Sequence, residues 1–138
     1  MTERAFVDTN VWVYLFDRSE EAKRHTARRL VESASPGSLV VSTQVLQEFY
    51  AVTTRRLAEP LTPDAATAAV GWMSALPVVG SDADLVLSAI SLSRNAQLSI
   101  WDALVVRAAA VAGCARLLSE DLQPGAVLSG VEVVNPFA

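Results

Sequence analysis

Short apolar runs recur along this chain, separated by longer stretches with helical periodicity, and that alternation leaves few folds open. Ala5-Phe6-Val7, Leu39-Val40-Val41, Val78-Val79, Leu117-Leu118 and Val131-Glu132-Val133-Val134 read as strands. Strands that alternate with helices pair in parallel, and the helices cover both faces of the sheet. The expected fold class is α/β: a single domain over residues 1–138, with a central, mainly parallel sheet of four to five strands and helices on both faces. The last run, before Pro136, is expected at a sheet edge. A chain of 138 residues with 51% apolar content supplies one core and not two.

Capping signals place the helices between these strands. A short helix over the bulky residues 11–16 follows Asp8-Thr9-Asn10. Ser19, with Glu20 and Glu21 after it, predicts a helix through Val31 that ends before Pro36-Gly37. Ser42 or Thr43 caps a helix whose apolar stripe uses Val45, Phe49 and Val52 and which closes over residues 58–61. Thr62-Pro63 starts an alanine-rich helix to Leu76. Ser81 and Asp84 form a capping box for a helix ending near Asn95, and Ser99 and Asp102 repeat the box before a helix to Ala112, which Gly113 stops.

Charge and cysteine content exclude several classes. A net charge of -4 argues against a protein that coats nucleic acid through bulk charge, so any such contact has to be local. Lys23-Arg24 with Arg28-Arg29, and Arg55-Arg56, are the candidate phosphate contacts; each cluster also reads as a solvated helix face. The single cysteine, Cys114, lies in an alanine-rich stretch and forms no internal disulfide. The opening residues lack a cationic segment followed by a long apolar one, and Arg107 interrupts the longest apolar stretch. A soluble, cytoplasmic protein without a membrane span is expected.

Four acids stand where strands end or the following helices begin: Asp8, Glu48, Asp102 and Asp121. Singly, each has a plain reading. Asp8 is a good helix cap, Glu48 a solvated helix acid, Asp102 half of a capping box, and Asp121 a loop acid with Glu120 competing beside it. Asp82 and Asp84 are read as caps. Together, the four would gather at the carboxyl edge of a parallel sheet, where such folds bind ligands. Hard oxygen ligands suit Mg²⁺ or Mn²⁺. His25, set among Lys23, Arg24, Arg28 and Arg29, reads as an exposed helix residue, so neither a Ser-His-Asp triad nor a Cys-His pair can be built with this edge.

In order and separation, Phe6-Val7-Asp8-Thr9-Asn10, Gln47-Glu48-Phe49, Trp101-Asp102-Ala103-Leu104-Val105 and Leu118-Ser119-Glu120-Asp121-Leu122 resemble the PIN domain along nearly the whole chain. The Trp-Asp-Ala-Leu segment and the ending Val133-Val134-Asn135-Pro136-Phe137 look most like VapC, the toxin ribonucleases of type II toxin–antitoxin pairs. The resemblance implies Mg²⁺- or Mn²⁺-dependent cleavage of RNA, with Asp8, Glu48, Asp102 and Asp121 as metal-binding and catalytic acids. It also implies orienting or phosphate-contacting roles for Thr9, Asn10 and Ser119. As partners it implies an RNA substrate, a VapB-type antitoxin and a homodimer. Trp12, Tyr14 and Phe16 are more aromatic surface than one face of a short helix buries, so some of it is expected to face a partner, the alternative being that the rings fill the core.

Rival readings lack specific residues. A haloacid dehalogenase-type phosphatase needs a second Asp where Asn10 stands. A receiver domain needs a lysine late in the chain, and Lys23 is the only lysine. A PIN-like module that binds RNA or protein without cleaving is the alternative of a different class, and the presence of all four acids counts against it.

Overall fold

The computed structural model describes residues 3–138. Its elements in chain order are β1 (Ala5–Val7), α1 (Thr9–Tyr14), α2 (Glu21–Ser33), β2 (Leu39–Ser42), α3 (Thr43–Arg55), α4 (Pro63–Met73), β3 (Val78–Val79), α5 (Ala83–Ala96), α6 (Ile100–Val111), β4 (Arg116–Leu118), β5 (Val127–Leu128) and β6 (Val131–Val134). The strands form one sheet in the order β3-β2-β1-β4-β6-β5, parallel throughout except for β5 against β6. The expected α/β class and mainly parallel sheet are borne out.

The strand order has a functional consequence. From β1 the chain builds outward through β2 and β3, then returns to lay β4 on the other side of β1. Connections leave β1 and β4 in opposite directions, which opens a crevice between their carboxyl ends, the switch point where open α/β sheets bind ligands.

The core explains why the central strands read as continuous apolar runs. Phe6, Val7, Val40, Val41 and Leu117 are wholly buried, with Val11, Val45, Phe49 and Val106 packed on them from helices. Trp12 is also wholly buried: its indole N–H donates to the Val7 carbonyl at 3.0 Å, and its ring meets Trp72 edge-on. Phe16 packs edge-on to Phe49 and Tyr14 to Phe137. The rings of Trp12, Tyr14 and Phe16 are thus engaged within the chain, and the expectation that some of them face a partner fails for Trp12 outright.

Several sequence expectations need correction. The sheet has six strands, not four to five, because the two-residue β5 pairs with β6 through a hairpin whose central residues, Ser129 and Gly130, both have positive φ. Val131–Val134 consequently lies one strand in from the edge. Ser19 does not cap α2: its amide and hydroxyl both donate to the Asp17 carboxylate, at 3.0 and 2.6 Å, and Glu20 takes the cap position without a side-chain bond. Ser81 does not cap α5 either; Asp82 does, accepting from the Leu85 amide at 2.8 Å, since a carboxylate is the stronger acceptor of two adjacent choices. Ser42 is the cap of α3, and Ser99 of α6 as expected. The boundaries of α3 and α4 fall short of those expected, at Arg55 and Met73.

Candidate metal centre

Register fixes the centre of the site. Val7 pairs with Leu118, so the next residues, Asp8 and Ser119, leave the sheet side by side, and the Asp8 amide donates to the Leu118 carbonyl at 3.0 Å. Asp8 is 7% exposed. One carboxylate oxygen accepts from the Thr9 amide at 2.8 Å, as a cap of α1. The other accepts from the Ser119 hydroxyl at 2.8 Å and sits 3.5 Å from the Asn10 side-chain nitrogen. The cap reading and the site reading are therefore satisfied by the same residue with different oxygens.

Burial drives the Asp8 carboxyl from its ordinary 3.8 up to about 6; the hydrogen bonds from Ser119 and Thr9 oppose the rise, and the negative charges of Asp121 and Glu48 add to it. Asp102, in the first turn of α6, is also raised, chiefly by burial, with hydrogen bonding to Ser99 opposing and the Asp121 charge adding. Asp121 thus acts on both Asp8 and Asp102, and Glu48 acts on Asp8. The four acids share one electrostatic environment.

Other side chains hold them there. Asn10 donates to the Asp121 carboxylate at 3.0 Å and to the Ser119 hydroxyl at 3.4 Å. The Ser119 hydroxyl also accepts from the Asp121 amide at 3.1 Å. Thr9 donates to the Glu48 carboxylate at 3.4 Å. The residues expected to orient carboxylates, Thr9, Asn10 and Ser119, all touch an acid. Glu120, the competitor of Asp121, turns away to Tyr14 and Lys23, so geometry favours Asp121.

Two residues outside the expected set help to place the acids. Gln44, buried one helical turn before Glu48, donates to the Trp101 carbonyl at 3.2 Å and so ties the Glu48 helix to the start of the Asp102 helix. Trp12 anchors α1 to the end of β1 through the Val7 carbonyl. A polar residue four positions before a candidate acid on an otherwise apolar stripe is the readable sign of Gln44.

The basic clusters separate. Lys23 pairs with Glu120 at 3.1 Å and Arg24 with Glu21 at 3.2 Å, whereas Arg28, Arg29, Arg55 and Arg56 are exposed. His25 is exposed and Cys114 buried, as expected. Among the described residues no three His, Cys, Asp or Glu side chains are drawn together into a finished metal cage. Carboxylates in one crevice repel until a cation joins them. The donor set nonetheless fits a hard divalent ion: oxygen ligands alone, with Asp8 strained by being charged in a buried place.

Comparison with known proteins gives the family. The PIN domain model matches residues 5–125, and the chain belongs to the PIN domain family. Among solved structures it is similar to VapC20 of Mycobacterium tuberculosis, described as a sarcin-ricin loop cleaving toxin, at 28% identity and a TM-score of 0.68, covering 85% of this chain and 91% of that one. It is also similar to a toxin–antitoxin complex from Klebsiella pneumoniae (19% identity, TM-score 0.72, 96% and 97% covered) and to FitAcB from Neisseria gonorrhoeae (14%, 0.68, 96% and 98%). The expected resemblance to VapC-type toxins is borne out. No curated protein matches. Among the described residues no helix is long and apolar enough to cross a membrane.

Proposed function

We propose that this chain is an endoribonuclease of the VapC type, dependent on Mg²⁺ or Mn²⁺, that acts as the toxin of a toxin–antitoxin pair in the cytoplasm. The observation that carries the reading is Asp8: a nearly buried carboxylate at the β1/β4 switch point, raised to about 6 and feeling the charges of Asp121 and Glu48. A lone cap has no reason to be placed against like charges. A divalent ion bound by these oxygens would neutralise charge on the phosphate and lower the pKa of a bound water.

Asp8 and Asp102 are the proposed direct ligands, with Asp121 completing the set and Glu48 reaching the ion directly or through water. Ser119 and Thr9 hold the Asp8 oxygens, and Asn10 holds Asp121, so the acids are oriented before substrate arrives. The exposed Arg55 and Arg56, or Arg28 and Arg29, attract the RNA backbone.

An antitoxin and a second copy of the chain are the proposed protein partners, supported by the toxin–antitoxin complexes among the similar structures. Exposed Leu87, Ile90 and Trp101 on α5 and α6 offer apolar surface for such contacts. Incubation of the purified protein with RNA and Mn²⁺, beside a chelator control and Asp8→Asn, tests the activity. Cleavage that needs both the metal and Asp8 is expected. RNA binding without cleavage would instead make the chain a binding module.

A further inference from the structure

Two adjacent acids follow β4 and diverge, and the groups that hold Glu120 lie outside the carboxylate set. One Glu120 oxygen accepts from the Tyr14 hydroxyl, and the other from the Lys23 ammonium at 3.1 Å. Lys23 also donates to the Tyr14 hydroxyl at 3.2 Å. Its ammonium lies 4.9 Å from the centre of the Tyr14 ring and 5.9 Å from that of Phe137, and the two rings meet edge-on at 5.0 Å. This cluster joins the end of α1, the first turn of α2, the turn after β4 and the segment after β6. It contains the only lysine of the chain.

The turn is gripped from both sides. On the site side, the Glu120 amide donates to the Asn10 side-chain oxygen at 3.4 Å, and the Asp121 amide donates to Ser119 at 3.1 Å. On the far side, the Glu120 side chain is held by Tyr14 and Lys23. Both amides of this bend are hydrogen-bonded, Glu120 to Asn10 and Asp121 to Ser119, so the backbone between the two side chains is fixed and they leave it in different directions. Holding Glu120 outward therefore holds Asp121 inward, where Asn10 receives it.

We infer that Lys23 and Tyr14 are positioning residues for Asp121, acting through Glu120 to decide which of the two adjacent acids enters the metal site. The inference rests on the proposed metal centre. Removing one such outer partner at a metal site characteristically weakens binding by about tenfold or more.

The test uses the full chain with Lys23→Met, Lys23→Arg and Tyr14→Phe, alone and combined with Asp121→Asn. Two readouts are needed: Mn²⁺ affinity by calorimetry, and amide hydrogen exchange of Asp121 relative to β4 in metal-free protein. Lys23→Met should weaken Mn²⁺ roughly tenfold, have no further effect once Asp121 is Asn, and speed exchange at Asp121 severalfold while β4 is unchanged. Tyr14→Phe, which keeps the ring packing, should do the same in smaller measure, and Lys23→Arg should restore both readouts. A lowered melting temperature with unchanged affinity and unchanged exchange overturns the inference, as does an equal drop in affinity in the Asp121→Asn background. If the native chain binds no Mn²⁺, the metal-centre reading fails, and the exchange measurement still decides whether Lys23 and Tyr14 hold the turn.

Discussion

Replacing Asp8 with Asn should stabilise the metal-free protein at neutral pH while destroying its activity. The folded carboxyl titrates at about 6 against an ordinary 3.8. Above pH 6 the folded chain carries a buried charge that the unfolded chain solvates freely. Stability present below pH 3.8 is therefore lost as pH rises through 6, and about 1.4 kcal/mol for each tenfold in acidity makes the loss about 3 kcal/mol. Asparagine removes the charge but keeps only one acceptor oxygen for the Thr9 amide and the Ser119 hydroxyl, which gives back about 1 to 1.5 kcal/mol. The net gain near pH 7.5 is about 1.5 to 2 kcal/mol, or roughly 5 °C in melting temperature for a chain of this size. Melts followed by circular dichroism, in chelator, near pH 7.5 and near pH 4, measure it. Near pH 4 the folded native carboxyl is already protonated, so the gain should vanish. If Asp8→Asn melts well below the native protein near pH 7.5, Asp8 is a helix cap whose charge is not strained, and the reasoning fails.

Neutralising Arg55 and Arg56, or Arg28 and Arg29, should weaken RNA binding and flatten its salt dependence by about one unit of log–log slope for each phosphate no longer neutralised; a slope unchanged by both pairs removes these clusters as the RNA surface. Gln44→Leu should lower the cleavage rate severalfold with less than about 1 kcal/mol change in stability, because it cuts the tie from α3 to the Trp101 carbonyl; a full rate in this variant shows that the tie does not place Glu48. Trp12→Ala should cost about 3 to 5 kcal/mol, since it empties a wholly buried site and leaves the Val7 carbonyl without its indole partner, and a denaturant midpoint close to the native one would contradict the packing described.

The parts of the molecule readable in the sequence are those that a local pattern determines. β1, β2 and β4 are buried on both faces and so appear as unbroken apolar runs, and Asp8 and Asp121 stand out as the acids that follow such runs. Glu48 and Asp102 are ambiguous because helix starts favour acids for reasons unconnected with a site, and Asp102 does satisfy its capping geometry with Ser99. β5 is not legible because two residues are too few to show alternation, although Ser129-Gly130 is a sound hairpin signal. Ser19 is drawn away from the helix by Asp17, to which its own amide and hydroxyl donate, and Ser81 loses the Leu85 amide to its neighbour Asp82. The hold of Tyr14 and Lys23 on Glu120 is out of reach, since it joins residues 106 and 97 positions apart, and no local rule brings such pairs together. The rings of Trp12, Tyr14 and Phe16 mislead because a sequence does not reveal that Trp72, Phe137 and Phe49 will come to meet them.

The central claim is that Asp8, Glu48, Asp102 and Asp121 form one divalent-ion site at the β1/β4 edge. Anomalous scattering from a crystal soaked in Mn²⁺ addresses it most directly. The account predicts a peak between the Asp8 and Asp102 carboxylates, within about 2.0 to 2.3 Å of an oxygen of each, on the side facing Asp121; a peak held by other residues, or an Asp8 carboxylate still bound only to Thr9, Ser119 and Asn10 at saturating Mn²⁺, would contradict it.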